Sequence, residues 1–188
     1  SVILLDSATN IIAGNDSVVG MADGIYNGVM PFNFTGTGAV SNKELVNKGN
    51  ITIGDNSAAL YTKNNAKSEN SGNITVGKDS VGLYGDTVND ILNTGNIIVG
   101  ENSKAIYLKE AVLTSDVNTG KISSTSNSAI GIYSEYTGTV PTLIKTSNEI
   151  DLSGDKTIGV YATGTGVQNV ENSNIIKIGD STDGNNPS

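Results

Sequence analysis

The chain has 188 residues, of which 36% are hydrophobic, 5% aromatic and 16% charged, with a net charge of −8 and a pI near 4.4. All 11 basic residues are lysine; an acidic chain with no arginine excludes nucleic acid and docking on an anionic membrane, both of which need clustered cations. Cysteine and histidine are absent, which removes disulfides, thiolate metal sites and the commonest general base.

The start of the chain, Ser1-Val-Ile-Leu-Leu5, meets Asp6 at once and does not resemble a signal peptide. No apolar run approaches the roughly 20 residues of a membrane-spanning helix. Residues 1–20 hold short aliphatic pieces separated by Ser, Asn, Asp and Gly. Val19-Gly20, followed by Gly24-Ile25-Tyr26, reads as a degenerate copy of a unit that recurs downstream. An inserted loop is expected near 27–41, so that 1–46 forms degenerate coils. It holds Phe32 and Phe34, the only two Phe residues of the chain, and exposed aromatics on a loop over a rigid scaffold are a common binding arrangement.

Three close copies follow over 47–107: Asn47–Tyr61, Asn70–Tyr84 and Asn93–Tyr107. Their closing tyrosines are 23 residues apart, a period that marks a solenoid. Looser copies over 108–180 close at Tyr133 and Tyr161, and a last one opens at Asn172. The tail 181–188 is polar. A second, smaller insertion at 134–145 contains Tyr136, a further loop candidate for recognition.

Within each copy, Ile51/Ile53, Ile74/Val76, Ile97/Val99, Ile150/Leu152 and Ile176/Ile178 stand two apart. Side chains two apart share one face of a strand. These segments are short, β-branched and bounded by Gly, which disfavours helix. A second strand carries Leu60, Leu83, Ile106, Ile132 and Val160 inward. By alternation Tyr61, Tyr84, Tyr107, Tyr133 and Tyr161 point outward and stack. A weaker third strand is expected over 87–92 and 111–117. Asn47, Asn70, Asn93, Asn118 and Asn172 share one position, with Asn148 the candidate in the fifth copy, and their amides are expected to form a ladder along the axis. The fold expected is all-β: a single-stranded right-handed parallel β-helix of about 23 residues per coil, with six to seven coils in one continuous segment. At about 4.8 Å per coil it is a rod section of roughly 30 Å.

The repeat N-x-G-N-I-T-V-G-x-N/D-S-x-G/A-I/L-Y resembles the passenger region of large type Va autotransporter adhesins, the fusobacterial RadD-like group in particular. The likeness covers about 45–180 and is strongest over 47–107. It implies a right-handed β-helix stalk on the bacterial cell surface, exported through the outer membrane, with a C-terminal barrel lying outside this chain. It further implies a monomer that binds, or supports binding to, a host or bacterial cell-surface protein or glycan, with no cofactor and no catalysis. The fragments N-S-x-A-I-Y and S-N-S-A-I-G also resemble trimeric autotransporter heads, whose shorter period ranks them second.

A polysaccharide-active β-helix enzyme is the alternative. It would need facing carboxylates, for which Asp86 with Asp90, or Asp151 with Asp155, are the candidates; both sit in Asn/Gly turns. Asp55, Asp79, Glu101, Asp155 and Asp180 follow the strand-end glycine. They suit solvated turns better than calcium, since the G-G-x-G-x-D signature is missing. No metal site is expected. The tyrosine column could be a sugar platform, but a feature repeated in every coil reads better as a cross-coil ladder.

Overall fold

A computed structural model describes residues 2–24 and 43–179. The inserted segment with Phe32 and Phe34, Tyr26, Asp180 and the polar tail lie outside the described residues. Every element described is a strand, and the strands form three parallel sheets of seven, seven and six. Each coil but the last described one gives one strand to each sheet. In the coil that follows the first regular repeat these are Lys67–Asn70 (sheet A), Asn73–Val76 (sheet B) and Val81–Asp86 (sheet C). Every neighbour across a sheet is a strand from the next coil, so the chain is a parallel β-solenoid.

The register places like on like. Ile51, Ile74, Ile97, Ile122, Ile150 and Ile176 stand one above another in sheet B. Leu60, Leu83, Ile106, Ile132 and Val160 do the same in sheet C. From sheet A come Leu45, Ser68 and Ile91. These columns meet in a narrow core in which Ile51, Leu60, Ile74, Leu83, Ile97, Ile106, Ile122 and Ile132 are all buried. Each such side chain contributes about 1.5–3 kcal/mol, and each coil is stabilised mainly by its two neighbours.

The step between coils is 23 residues through Asn47, Asn70 and Asn93, then 25 to Asn118 and 28 to Thr146. Averaged over the fold it is about 26 residues per turn rather than 23. The first coil also corrects the sequence reading: Met21, not Tyr26, stands beside Tyr61. Ile11 sits over Ile51, and counting forward from that aliphatic pair reaches Met21, so the extra residues fall between Asp23 and Glu44, which align with Lys63 and Lys67, and begin earlier than the aromatic pattern suggests. The third strand is shorter than expected, at Ile91–Asn93 and Asp116–Asn118. The first cannot begin at residue 87, where Thr87 takes left-handed backbone with φ of 56°; Glu110, just ahead of the second, does the same with φ of 49°.

Two corner types hold the coil together. After sheet A the glycines Gly72, Gly95 and Gly120 pass so close to the coil below that a Cβ would lie 2.0–2.1 Å from its carbonyl oxygen. Close approach, not positive φ, fixes glycine here. The left-handed positions between sheets B and C are filled by other residues: Asp16, Asn56, Asp79, Asn102, Ser128 and Lys156. Asn and Asp tolerate that region best among residues with a Cβ.

Candidate functional site

Two inter-coil ladders occupy buried polar side chains that repeat. In the first, buried at the end of sheet A, Asn47 Nδ2 donates to Asn70 Oδ1 at 2.7 Å. Asn70 donates to Asn93 and Asn93 to Asn118, both at 2.8 Å. Asn118 donates to Thr146 Oγ1 at 3.1 Å, so a hydroxyl replaces the amide in the fifth rung. Asn148, the residue expected there, instead donates to the Thr119 carbonyl. Counting back from Ile150 by the spacing that leads from Ile97 to Asn93 points to Thr146. Asn172 stands beside Thr146 in register but is exposed, and its amide turns to the Asn174 carbonyl. It caps the column instead of extending the ladder.

The second ladder was not expected. The backbone N–H groups of Ser17, Ser57 and Ser80 each donate to the serine hydroxyl of the next coil, Ser57, Ser80 and Ser103, all at 2.9 Å. Each hydroxyl returns a bond to the coil below, as Ser80 Oγ does to the Gly54 carbonyl at 3.0 Å. The recurrent Gly-x-x-Ser was the signal available for it.

On the outer face of sheet C the tyrosines form a wall. Tyr61 and Tyr84 stack with ring centroids 4.7 Å apart, and Tyr84 and Tyr107 at 4.6 Å. Tyr107 meets Tyr133 edge to face at 87°, and Tyr133 stacks on Tyr161. The break falls where Lys104 stands 5.5 Å from the Tyr133 ring centre and Tyr107 Oη donates to Glu135 Oε2 at 2.9 Å. Burial, followed by the Asp86 charge, pushes the Tyr84 phenol up to about 12. Tyr107 is raised by burial first and by its bond to Glu135 second. Beside the wall runs a charge stripe, with Lys63–Asp23 at 3.1 Å and Lys109–Asp86 at 3.6 Å. Stacking covers ring faces on successive tyrosines, so the wall presents mainly edges and hydroxyls; sugar rings stack on faces.

The other sequence candidates separate. Tyr136 is not an exposed recognition residue: it is buried, with its hydroxyl donating to the Val140 carbonyl at 2.5 Å. Gly138 and Gly166 leave room for its side chain, since a Cβ would lie 2.4 Å from the hydroxyl at Gly138 and 2.4 Å from the ring at Gly166. Glu110 latches the same turn by accepting from Thr137 N and Oγ1. Phe32 and Phe34 lie outside the described residues. Three of the four paired acids lie beside lysines: Asp90 pairs with Lys67 at 2.7 Å, Asp86 with Lys109, and Asp151 stands beside Lys177. Asp55 Oδ1 accepts the Lys78 backbone N–H at 2.9 Å, and Glu101 pairs with the Lys78 side chain. Among the described residues no three His, Cys, Asp or Glu gather where they could hold a metal ion.

Comparison with known protein families, with curated proteins and with solved structures finds no match to this chain.

Proposed function

We propose that the chain is a non-catalytic rod segment of an adhesin displayed on a bacterial surface, one that binds, or holds in place, a host or bacterial surface protein or glycan. One observation carries the reading. The buried polar side chains that repeat along the regular coils, Asn47, Asn70 and Asn93 with Ser57 and Ser80, are committed to their own neighbours through the asparagine and serine ladders. Such a molecule is built to be long, stiff and soluble, and its net charge of −8 suits an extended particle in water. The repeat's resemblance to type Va passenger regions agrees with this.

The test is competition. The purified chain, added in solution, is expected to bind cells and to block attachment of a bacterium that displays it. Turnover of a polysaccharide that disappears in Asp86→Asn or Asp151→Asn would overturn the proposal in favour of an enzyme.

A further inference from the structure

We propose that the outer face of sheet B is a binding groove for a neutral, extended β-linked glycan lying along the rod axis. Two columns of outward side chains border it. One is Asn50, Asn73, Asn96 and Lys121; the other is Thr52, Thr75, Ile98 and Ser123. Between them lies a shallow, open depression of about 300 Å³.

Three observations give the groove its chemistry. First, its amides are already ordered. Asn73 Nδ2 donates to Asn50 Oδ1 at 2.8 Å and Asn96 Nδ2 to Asn73 Oδ1 at 2.9 Å. Each amide nitrogen has a second hydrogen and each oxygen a second lone pair. Asn73 is exposed and uses one donor and one acceptor in the ladder. The ladder stops at Asn96 because Lys121 takes the next rung, and this leaves the Asn96 oxygen open to a hydroxyl. Donors and acceptors held in place before binding lose little entropy on binding.

Second, Ile98 interrupts the hydroxyl column. It is 52% exposed, where Thr52, Thr75 and Ser123 stand in the neighbouring coils. An aliphatic patch between hydrogen-bonding groups matches the C–H face of a sugar ring between its hydroxyls. Rungs follow one another at about 4.8 Å, and an extended β-linked glycan advances by close to one sugar per rung.

Third, the charge is right for a neutral ligand. Lys121 is the sole charged residue lining the depression, and its ammonium lies 3.4 Å from the Glu149 carboxylate. The chain as a whole, at −8, repels polyanions. The tyrosine wall, by contrast, covers its ring faces by stacking.

The inference gives the adhesin reading a ligand class and a face, and rests on that reading only for its biological setting. Its test is a titration of the whole chain with cellotetraose, chitotetraose and a galacturonate tetramer, followed by NMR. A neutral tetrasaccharide is expected to shift the side-chain amides of Asn73 and Asn96 and the methyls of Ile98. Ile98→Glu, and separately Ser123→Trp, which fills the depression, are expected to weaken binding about tenfold or more while the circular dichroism spectrum is unchanged. No shift with either neutral sugar, shifts confined to another face, tighter binding of the galacturonate, or undiminished affinity in both variants overturns the groove. Cell attachment is scored separately: a wild-type chain that binds tetrasaccharide but no cells refutes the adhesin reading and leaves the groove standing.

Discussion

Asn93→Ala removes the middle rung of a buried ladder, and its cost follows from what is left behind. Asn93 is fully buried; its Nδ2 donates to Asn118 Oδ1 and to the Gly95 carbonyl, and its oxygen accepts from Asn70 Nδ2. The Gly95 carbonyl keeps the Lys121 N–H. Asn118 Oδ1 loses its side-chain donor, and Asn70 Nδ2 keeps only its bond to the Gly72 carbonyl. Both residues are fully buried, so water does not reach them without opening the coil. An orphaned buried group costs about 1–3 kcal/mol, so the change is expected to destabilise by about 2–5 kcal/mol. The assay is urea unfolding followed by far-ultraviolet circular dichroism and tyrosine fluorescence, with coincidence of the two checking that the transition is two-state. Asn93→Ala with Asn118→Ala leaves fewer orphans than the separate changes, so the double variant is expected to cost at least about 1 kcal/mol less than their sum. A midpoint unchanged in the single variant, or strict additivity in the double, would refute the ladder as a source of stability.

Glycine spacing gives a sharper contrast: Gly95→Ala places a Cβ 2.0 Å from the Gly72 carbonyl oxygen, whereas at Gly14 nothing lies within 4 Å. Thermal unfolding is expected to show a loss of about 3 kcal/mol or more for the first and a change within about 0.5 kcal/mol for Gly14→Ala. Thr87 is β-branched and exposed at φ 56°, so Thr87→Asn is expected to raise stability by about 1 kcal/mol; a lower melting point would contradict the strain argument. The Tyr84 phenol, pushed up to about 12 from 10.0, favours the neutral form in the fold. Its contribution to stability is therefore complete below pH about 10 and is lost as pH rises from there toward 12. Spectrophotometric titration of the phenolate is expected to show late-ionising tyrosines that become ordinary in urea, and to lose one of them in Tyr84→Phe.

The regular coils were legible because identical residues recur at one spacing and a strand has only two faces. Ile74 and Val76 must go in together, and Thr75 between them must go out. Reading failed where chemistry was conserved but identity was not. A threonine hydroxyl serves at 146 where asparagine was sought, and a methionine stands at 21 where a tyrosine was sought. Tyr136 failed for a different reason. Its burial depends on Gly138 and on Gly166 of the next coil, and sequence does not show that these two glycines open a space for one side chain. The groove on sheet B was hidden because its columns looked like the outward half of an ordinary strand. Ile98, standing where the neighbouring coils carry Thr75 and Ser123, is the visible departure.

A repeat that stabilises itself through ladders also restricts where recognition can lie. Asn70 and Asn93 use both an amide donor and a carbonyl acceptor inside the rod, and the tyrosines spend their ring faces on one another. Neither column has much left to offer a partner, however often it recurs. The outer asparagines differ because their ladder runs along a face open to solvent, so the bonds that order Asn73 leave half of its amide available. Repetition then supplies binding instead of excluding it, since a polymeric ligand meets equivalent rungs at a spacing close to its own. Asn73→Ala, which breaks this outer ladder at its middle, is therefore expected to change stability by less than about 1 kcal/mol, because both neighbours can turn to water. Asn93→Ala acts on the same coils from the inside and carries the larger cost. Equal losses from the two substitutions in urea unfolding would mean that the outer ladder is structural, and would remove the reason to look for a ligand on that face.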